Sequence, residues 1–168
     1  MIVPMLKGLM LTLNRFFSRP ITVQYPEEKI PVPEEFRFIP FLVYDVGAGG
    51  EKNLRCTSCG ICAKVCPPQC IWIVRSTDPA TGRPIPDPAE FTIDADICMN
   101  CGLCAEYCPF DAIKMDHDYE LASFNRTILD KAQLSKPAAY YENIRPVNAG
   151  RENAARQAKE AARAEKVS

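Results

Sequence analysis

Eight of the nine cysteines in this 168-residue chain occur in two copies of one short motif. Both copies read Cys-x2-Cys-Gly-x-Cys-Ala-x2-Cys-Pro, with a constant offset of 42 residues, as from Cys56 to Cys98. This run is a ligand pattern for [4Fe–4S] clusters, and its repetition indicates an internal duplication that provides two of them. The copies contribute Cys56, Cys59, Cys62 and Cys66, and Cys98, Cys101, Cys104 and Cys108.

The spacing within each copy predicts how the ligands are shared. Three cysteines separated by two residues each lie on one tight loop and can turn their sulfurs toward a common centre. In two-cluster ferredoxins the fourth cysteine of a run binds the other cluster. This exchange ties the two halves together, so neither cluster should be stable alone. We therefore expect a cluster 1 site of Cys56, Cys59, Cys62 and Cys108, and a cluster 2 site of Cys98, Cys101, Cys104 and Cys66.

Two other uses of cysteine fit the pattern less well. Zinc sites use Cys-x2-Cys pairs that lie far apart, and a third cysteine at the same short spacing has no role there. Disulfides require an oxidising compartment and usually an even number of cysteines, whereas this chain has nine and no convincing secretory signal. Persisting thiolates imply a reducing compartment such as the cytosol.

The ninth cysteine, Cys70, lies outside both copies and has two possible roles. It corresponds to Ala112 when the copies are aligned, so the position accepts a small apolar side chain. A packed thiol that binds no iron is the interpretation we favour. The alternative is a substitute iron ligand, which would make its cluster unusually labile.

Composition limits the domain size and the classes of partner. The cysteine-rich stretch 55–116 is too short for a large apolar core, so its clusters should form part of the core. The chain has 20 basic and 21 acidic residues without a basic block, which argues against a nucleic-acid partner. We predict no catalytic residue and no directly bound small-molecule substrate. The only histidine, His117, is expected at the surface, although near a cluster it would couple redox state to protonation.

Residues 1–19 carry an apolar stripe with helical period. The stretch is marginal for spanning a bilayer, and Lys7 and Arg15 would be costly inside lipid. We predict an amphipathic helix that lies on a membrane surface or docks on a membrane protein. The alternatives are a helix that covers the domain's own core and a mitochondrial presequence. The stripe consists of Ile2, Met5, Leu6, Leu9, Leu13, Phe16 and Phe17.

The rest of the chain predicts an α+β fold. Five prolines between residues 20 and 40 indicate an extended arm, which we assign to 20–54. Strands are predicted at 41–44, 71–74 and 91–93, the last two joined as a hairpin. Residues 117–168 should form a C-terminal helix and a charged tail that is helical or disordered. The helix is expected to be capped by Asp118 and to carry Leu121, Phe124, Ile128 and Leu129.

Residues around the motifs carry a resemblance to a known family. Residues 6–9 (LKGL) and 16–28 (FFSRPITVQYPEE) precede the two motifs, and residues 118–122 (DYELA) follow them. Over about residues 5–135 the chain resembles the ferredoxin-like, two-[4Fe–4S] subunit of respiratory complex I, an NADH:quinone oxidoreductase. Two features depart from the family: the stretch 36–53, and Cys70 at a position that usually holds a small residue.

The resemblance implies a non-catalytic electron-relay subunit. In the family, this subunit is one link in a chain of clusters from a flavin that oxidises NADH to a quinone site. The implied partners are an upstream iron–sulfur subunit, quinone-site subunits, a membrane-arm subunit and the membrane surface. The implied location is the cytoplasmic face of the bacterial inner membrane. Two alternatives remain: the equivalent subunit of a ferredoxin-driven quinone reductase or membrane-bound hydrogenase, and a free two-cluster ferredoxin, which the apolar helix disfavours.

Overall fold

The computed structural model describes the fold of residues 2–47 and 49–167, with side chains through residue 158. The chain divides into two compact units, Met1–Pro31 and Val32–Ser168. The first unit contains helix α1 (Ile2–Phe16), whose described side chains are all exposed, including the apolar stripe. After α1 the Ser18 hydroxyl donates to the Arg15 carbonyl at 2.7 Å. Among the described residues, no helix has the length and apolar character needed to cross a bilayer.

The described strands of the second unit form two small sheets. The first sheet comprises β1 (Pro40–Val46), β2 (Lys52–Leu54), β5 (Ile113–Met115) and β7 (Ser135–Pro137). The second comprises β3 (Ile71–Thr77), β4 (Pro84–Asp94) and β6 (Ile128–Leu129). In the first sheet the order is β2-β1-β5, with β7 running parallel to β1, and in the second it is β3-β4-β6.

Five helices, four of them short, are described in the second unit. One short helix lies in each motif copy, and the others follow β6. The first of these three has a capping box, in which the Asp130 carboxylate accepts from the Gln133 N–H and the Gln133 side chain accepts from the Asp130 N–H. The helices are α2 (Ile61–Val65), α3 (Leu103–Glu106), α4 (Lys131–Leu134), α5 (Ala138–Ile144) and α6 (Pro146–Val167).

The strand pairing reflects the duplication. Strand β1 precedes the first motif copy and pairs with β5, which follows the second copy, with Leu42 opposite Ile113. Strand β4 precedes the second copy and pairs with β3, which follows the first, with Ile93 opposite Ile71. Each half therefore completes its sheet with a strand from the other half. These four side chains are buried in one core cluster that also contains motif cysteines.

The predicted strands at 41–44, 71–74 and 91–93, and the hairpin that joins the last two, are confirmed. The predicted helix after Asp118 is wrong, because residues 118–127 form no helix and Ile128–Leu129 forms β6. Side-chain and backbone contacts hold the end of this stretch against the end of β4 and the turn that follows it. Arg126 Nε donates to the Asp94 carboxylate at 2.7 Å, and Thr127 N donates to the Asp96 carboxylate at 2.9 Å.

The C-terminal tail, for which the sequence left helix and disorder open, is helical. Helix α6 begins at Pro146, and Ala149 on its first turns is buried against Phe41 and Val43. Lys114 Nζ on β5 lies 2.6 Å from the Glu152 carboxylate, which ties the helix to the first sheet. The domain boundaries expected at 19/20, 54/55 and 116/117 remain predictions.

Candidate iron–sulfur centre

The eight motif cysteines surround two small cavities in the second unit. Cys66 and Cys108 each line the cavity beside the three-cysteine loop of the other copy. This grouping is the one expected from the exchange of the fourth cysteine, and iron ligation itself stays a prediction. The first cavity is lined by Cys56, Cys59, Cys62 and Cys108. The second is lined by Cys66, Cys98, Cys101 and Cys104, together with Cys70.

The donor chemistry fits two [4Fe–4S] clusters. Each cavity has the sulfurs of four motif cysteines, the ligands that iron–sulfur clusters take, and most of the remaining lining is apolar. In the described part of the chain, no three His, Cys, Asp or Glu side chains converge closely enough to hold a single metal ion. The sulfurs instead surround a space. The apolar linings include Ile61, Ile73, Phe110 and Ile113 at the first cavity, and Pro40, Ile71, Met99 and Met115 at the second.

The two cysteine loops have the same backbone conformation. In each loop, the residue before the second cysteine and the glycine after it are left-handed, a conformation that L side chains rarely adopt. The first of these residues has a buried side-chain oxygen, Ser58 Oγ or Asn100 Oδ1, for which the described residues provide no hydrogen-bond partner. The φ angles are 55° at Ser58 and 52° at Asn100, and 77° at Gly60 and 80° at Gly102.

Backbone amides at equivalent positions of the two copies act to lower the pKa of the cysteine thiols. The N–H of Ser58 acts on Cys56, and the N–H of Asn100 acts on Cys98. The N–H groups of Ala63 and Ala105 act likewise on the preceding cysteines. Such donors stabilise thiolates, so the loops are preorganised for the charged ligand form.

Burial opposes that charged form. It raises the pKa of the Cys56 and Cys98 thiols, and it raises the pKa of Cys62 and Cys104 to about 12. The amide donors offset only part of this effect. These four thiols therefore hold their protons at neutral pH until a cluster binds, and cluster binding must release them.

Two arginines from outside the motifs bind the loop backbone at the same motif position. Arg37 Nη1 donates to the Cys101 carbonyl at 2.7 Å. Arg75 donates to the Ser58 carbonyl at 2.8 Å and, at 3.4 Å, to the Cys59 carbonyl, the equivalent of Cys101. Sequence reasoning missed both, because Arg37 lies in the stretch that matched no pattern and Arg75 lies on a strand. Their spacing from the motifs gives no signal.

The histidine and two aromatic residues near the motifs lie away from the cavity walls. His117 is half-buried, with Nε2 3.3 Å from the Glu34 carbonyl and its ring against Phe36, and it lines neither cavity. The aromatic residues Trp72 and Tyr107 are half exposed and line neither cavity. At the first cavity the aromatic residue is Phe110.

Known proteins match this arrangement. A family model described as a 4Fe-4S dicluster domain matches residues 55–112. NADH-quinone oxidoreductase subunit I 2 from Geobacter metallireducens is 34% identical over 126 residues, which cover 75% of this chain and 90% of that protein. This chain belongs to the NADH-quinone oxidoreductase subunit I family. Subunit I 1 from Geobacter sulfurreducens is 39% identical, with coverage of 75% and 89%.

Membership in the subunit I family confirms the resemblance drawn from the sequence. The dicluster match also confirms the prediction of two [4Fe–4S] clusters. A longer subunit I 2, from Symbiobacterium thermophilum, is 43% identical over 119 residues, which cover 70% of this chain but 48% of that protein.

A solved structure of the archaeal membrane-bound sulfane sulfur reductase, a respiratory membrane complex, shares the fold of the subunit I chain. Its similar chain has a TM-score of 0.50 and 20% identity, and the match covers 80% of this chain and 65% of that one. At this identity the likeness concerns the fold alone. Together with the family match it confirms the predicted α+β, ferredoxin-like architecture.

Proposed function

We propose that this chain is the electron-relay subunit of a complex-I-type NADH:quinone oxidoreductase and passes electrons through two [4Fe–4S] clusters toward the quinone site. The observation that carries this proposal is the pair of cavities, each lined by four motif cysteines. Because the chain belongs to the NADH-quinone oxidoreductase subunit I family, NADH is the proposed electron donor and quinone the proposed acceptor. A chain with this role is a non-catalytic part of the enzyme.

The proposed ligands are the four motif cysteines at each cavity. A [4Fe–4S] cluster, when bound, takes up and gives back one electron at a time. Cys62 lines the first cavity and Cys66, one helical turn later, lines the second. Four residues of helix advance the chain by about 6 Å, so α2 joins the two sites over a very short distance. Cys104 on α3 and Cys108, two residues beyond its end, likewise line different cavities.

The chain's own residues keep each site dry and rigid. Buried apolar side chains exclude water, amide donors face the sulfurs, and Arg37 and Arg75 hold the loop carbonyls. A rigid, water-free surrounding reduces the reorganisation that accompanies electron transfer, because few dipoles must turn when the charge changes.

We also infer that the Met1–Pro31 unit attaches the subunit to the membrane or to a membrane-arm subunit. Its apolar stripe is exposed along its length, for example 80% at Met5 and 81% at Phe16. Helix α1 also carries Lys7 and Arg15 but no acidic residue. A stripe of this kind favours the interface between lipid and water. The proposed location is peripheral, on the cytoplasmic face of the bacterial inner membrane. The proposed neighbours are an upstream iron–sulfur subunit and quinone-site subunits.

The test is a mild-detergent purification of the tagged full chain from native membranes, followed by mass spectrometry and an assay of NADH-driven quinone reduction. Recovery of flavin- and NADH-binding subunits together with quinone-site and membrane subunits is the expected result. Recovery of quinone-site and membrane subunits without an NADH module would move the assignment to a ferredoxin-driven reductase or a hydrogenase. A chain recovered alone from the soluble fraction would refute both.

A further inference from the structure

Cys70 is the cysteine by which the two cavities differ. Its side chain is 1% exposed and lines the second cavity together with the four cysteines of the cluster 2 site. Its counterpart, Ala112, lines the first cavity. Each cavity has four motif cysteines, and in their sulfur groups the two cavities therefore differ by one buried thiol.

The Cys70 thiol contacts a proposed ligand of cluster 2. Its sulfur lies 3.4 Å from the sulfur of Cys66, and Cys98 lines the same cavity. Cys66 and Cys98 come from different motif copies, so Cys70 lies where the exchanged ligand meets the loop of the other copy. Iron-bound cysteines are thiolates, whereas a cysteine that binds no iron keeps its proton at neutral pH. Cys70 is therefore the donor and the sulfur of Cys66 is the acceptor.

The equivalent ligand at the other site has a different donor. There, the sulfur of Cys108 accepts from the backbone N–H of Ala112 at 3.4 Å. A backbone amide is present whichever residue occupies position 112, but an S–H donor requires cysteine. The side chain at position 70 thus adds an interaction that the duplication does not supply to cluster 1.

We propose that Cys70 is a positioning residue that donates its S–H to the sulfur of Cys66, a ligand of cluster 2, and raises the reduction potential of that cluster. The inference rests on the proposed function, because it takes Cys66 and Cys98 as iron ligands. A hydrogen bond to a ligand sulfur withdraws electron density and stabilises the more negative, reduced state. The proton stays on Cys70 in both redox states, and no bond is formed or broken. The chain thereby gives two duplicated sites different potentials.

The test is an EPR-monitored redox titration of the purified complex carrying Cys70→Ala, Cys70→Ser or Ala112→Cys. Cys70→Ala gives the first copy the residue that the second copy already holds. We expect it to lower the midpoint potential of cluster 2 and to leave that of cluster 1 unchanged. Cys70→Ser keeps a proton donor and should restore most of the potential. Ala112→Cys places the thiol at the first cavity and should raise the potential of cluster 1.

Two outcomes would overturn the proposal. An unchanged cluster 2 potential in Cys70→Ala, with the iron content intact, would mean that the thiol only fills space. Loss of cluster 2 alone from Cys70→Ala would identify Cys70 as an iron ligand. If the Cys70→Ala complex fails to assemble at all, the cluster 1 midpoint potential of Ala112→Cys decides. A rise supports the proposal, and no change or a fall refutes it. Failure of the proposed function is distinguishable, because the unsubstituted chain would then lack two [4Fe–4S] signals or its partner subunits.

Discussion

Arg37 binds the carbonyl oxygen of Cys101 through Nη1 at 2.7 Å, and its other terminal nitrogen lies 2.6 Å from the Glu106 carboxylate. One side chain thus joins the middle of the second cysteine loop to the end of helix α3. Arg37 and Cys101 lie 64 positions apart in sequence, so their hydrogen bond ties the segment before β1 to the cluster 2 site.

Arg37→Ala is expected to weaken the cluster 2 site selectively. The loss amounts to about 1 kcal/mol, at the low end for a charged hydrogen bond because the side chain is half exposed. We expect faster loss of the cluster 2 EPR signal on exposure to air, with cluster 1 unchanged. Glu106→Gln is the matched control, since it removes the ion pair and leaves the bond to Cys101. Equal loss of both clusters would contradict this role for Arg37.

Arg75→Ala provides the reciprocal experiment. Arg75 binds the Ser58 and Cys59 carbonyls of the first loop, so its removal should accelerate the loss of cluster 1 and spare cluster 2. The same air-exposure assay on the same preparation measures both signals. If both arginine variants lost the same cluster, the two arginines would not act on separate loops.

Gly102→Ala should destabilise the protein more than Gly60→Ala. Both glycines are left-handed, which costs an alanine about 1–2 kcal/mol. A Cβ on Gly60 would meet open space among the protein atoms, whereas a Cβ on Gly102 would lie 2.8 Å from Arg37 Nη1. The alanine therefore displaces Arg37 as well as straining the loop. Urea unfolding of the holo-protein should show the difference, and in an Arg37→Ala background the two substitutions should cost the same.

Much of the cluster site could be predicted from sequence because its ligands repeat at fixed spacing. The motif alone indicated the exchange between Cys66 and Cys108, and the structure groups these cysteines at the cavities in that way. Left-handed conformations at Gly60 and Gly102 follow from the same local pattern, since glycine adopts them without strain. The cysteine spacing and the glycine positions are local features, so they predict the loop structure without knowledge of the rest of the fold.

The remaining contacts could not be predicted, because they join residues far apart in sequence. Arg37 shows no motif, and its role depends on where the segment before β1 lies. The helical interpretation of residues 118–129 failed for the same reason. Their apolar spacing is compatible with a helix, but Asp94 at the end of β4 and Asp96 in the following turn bind Arg126 and Thr127 and hold the end of the stretch beside β4. Tertiary contacts overrode the local propensity.

Cys66→Ala and Cys108→Ala should damage opposite clusters. Cys66 lies at the cavity of Cys98, Cys101 and Cys104, so its loss should remove cluster 2 first. Cys108 lies at the cavity of Cys56, Cys59 and Cys62, so Cys108→Ala should remove cluster 1 first. EPR of the reduced variants assigns each loss, with Cys98→Ala as the reference for cluster 2. The opposite pattern, in which each variant damages the cluster of its own copy, would overturn the ligand assignment.

Asp94→Asn should lower stability equally at pH 6 and pH 8. The hydrogen bond from Arg126 lowers the pKa of buried Asp94 from the usual value of about 3.9. A lowered folded-state pKa contributes stability that is complete above the unfolded pKa. That contribution is lost only as the pH falls through the folded pKa. Anaerobic thermal unfolding of the holo-protein measures the effect, with exposed Glu90→Gln as a control. A loss that shrank between pH 8 and pH 6 would point to another titrating group.

Deletion of residues 1–31 should leave both clusters in place and abolish membrane attachment. The remaining residues form a unit of their own that contains all nine cysteines. The cut also keeps Glu34, whose carboxylate accepts hydrogen bonds from the backbone N–H groups of Val147 and Asn148 at 3.3 Å. Iron and sulfide analysis should therefore give wild-type values, while the chain moves to the soluble fraction and loses NADH-driven quinone reduction.

A finer variant separates the apolar stripe from the rest of the deleted unit. Replacing Leu6, Leu9 and Leu13 by Ser keeps the full length of the chain and removes only apolar surface, so it should release the subunit like the deletion. Lys7→Gln with Arg15→Gln is the matched control. It removes the charges of α1 and leaves the stripe, so it should weaken attachment to anionic membranes only modestly and in a salt-dependent way. Retention of the Ser variant in the complex would mean that the stripe does not make the attachment.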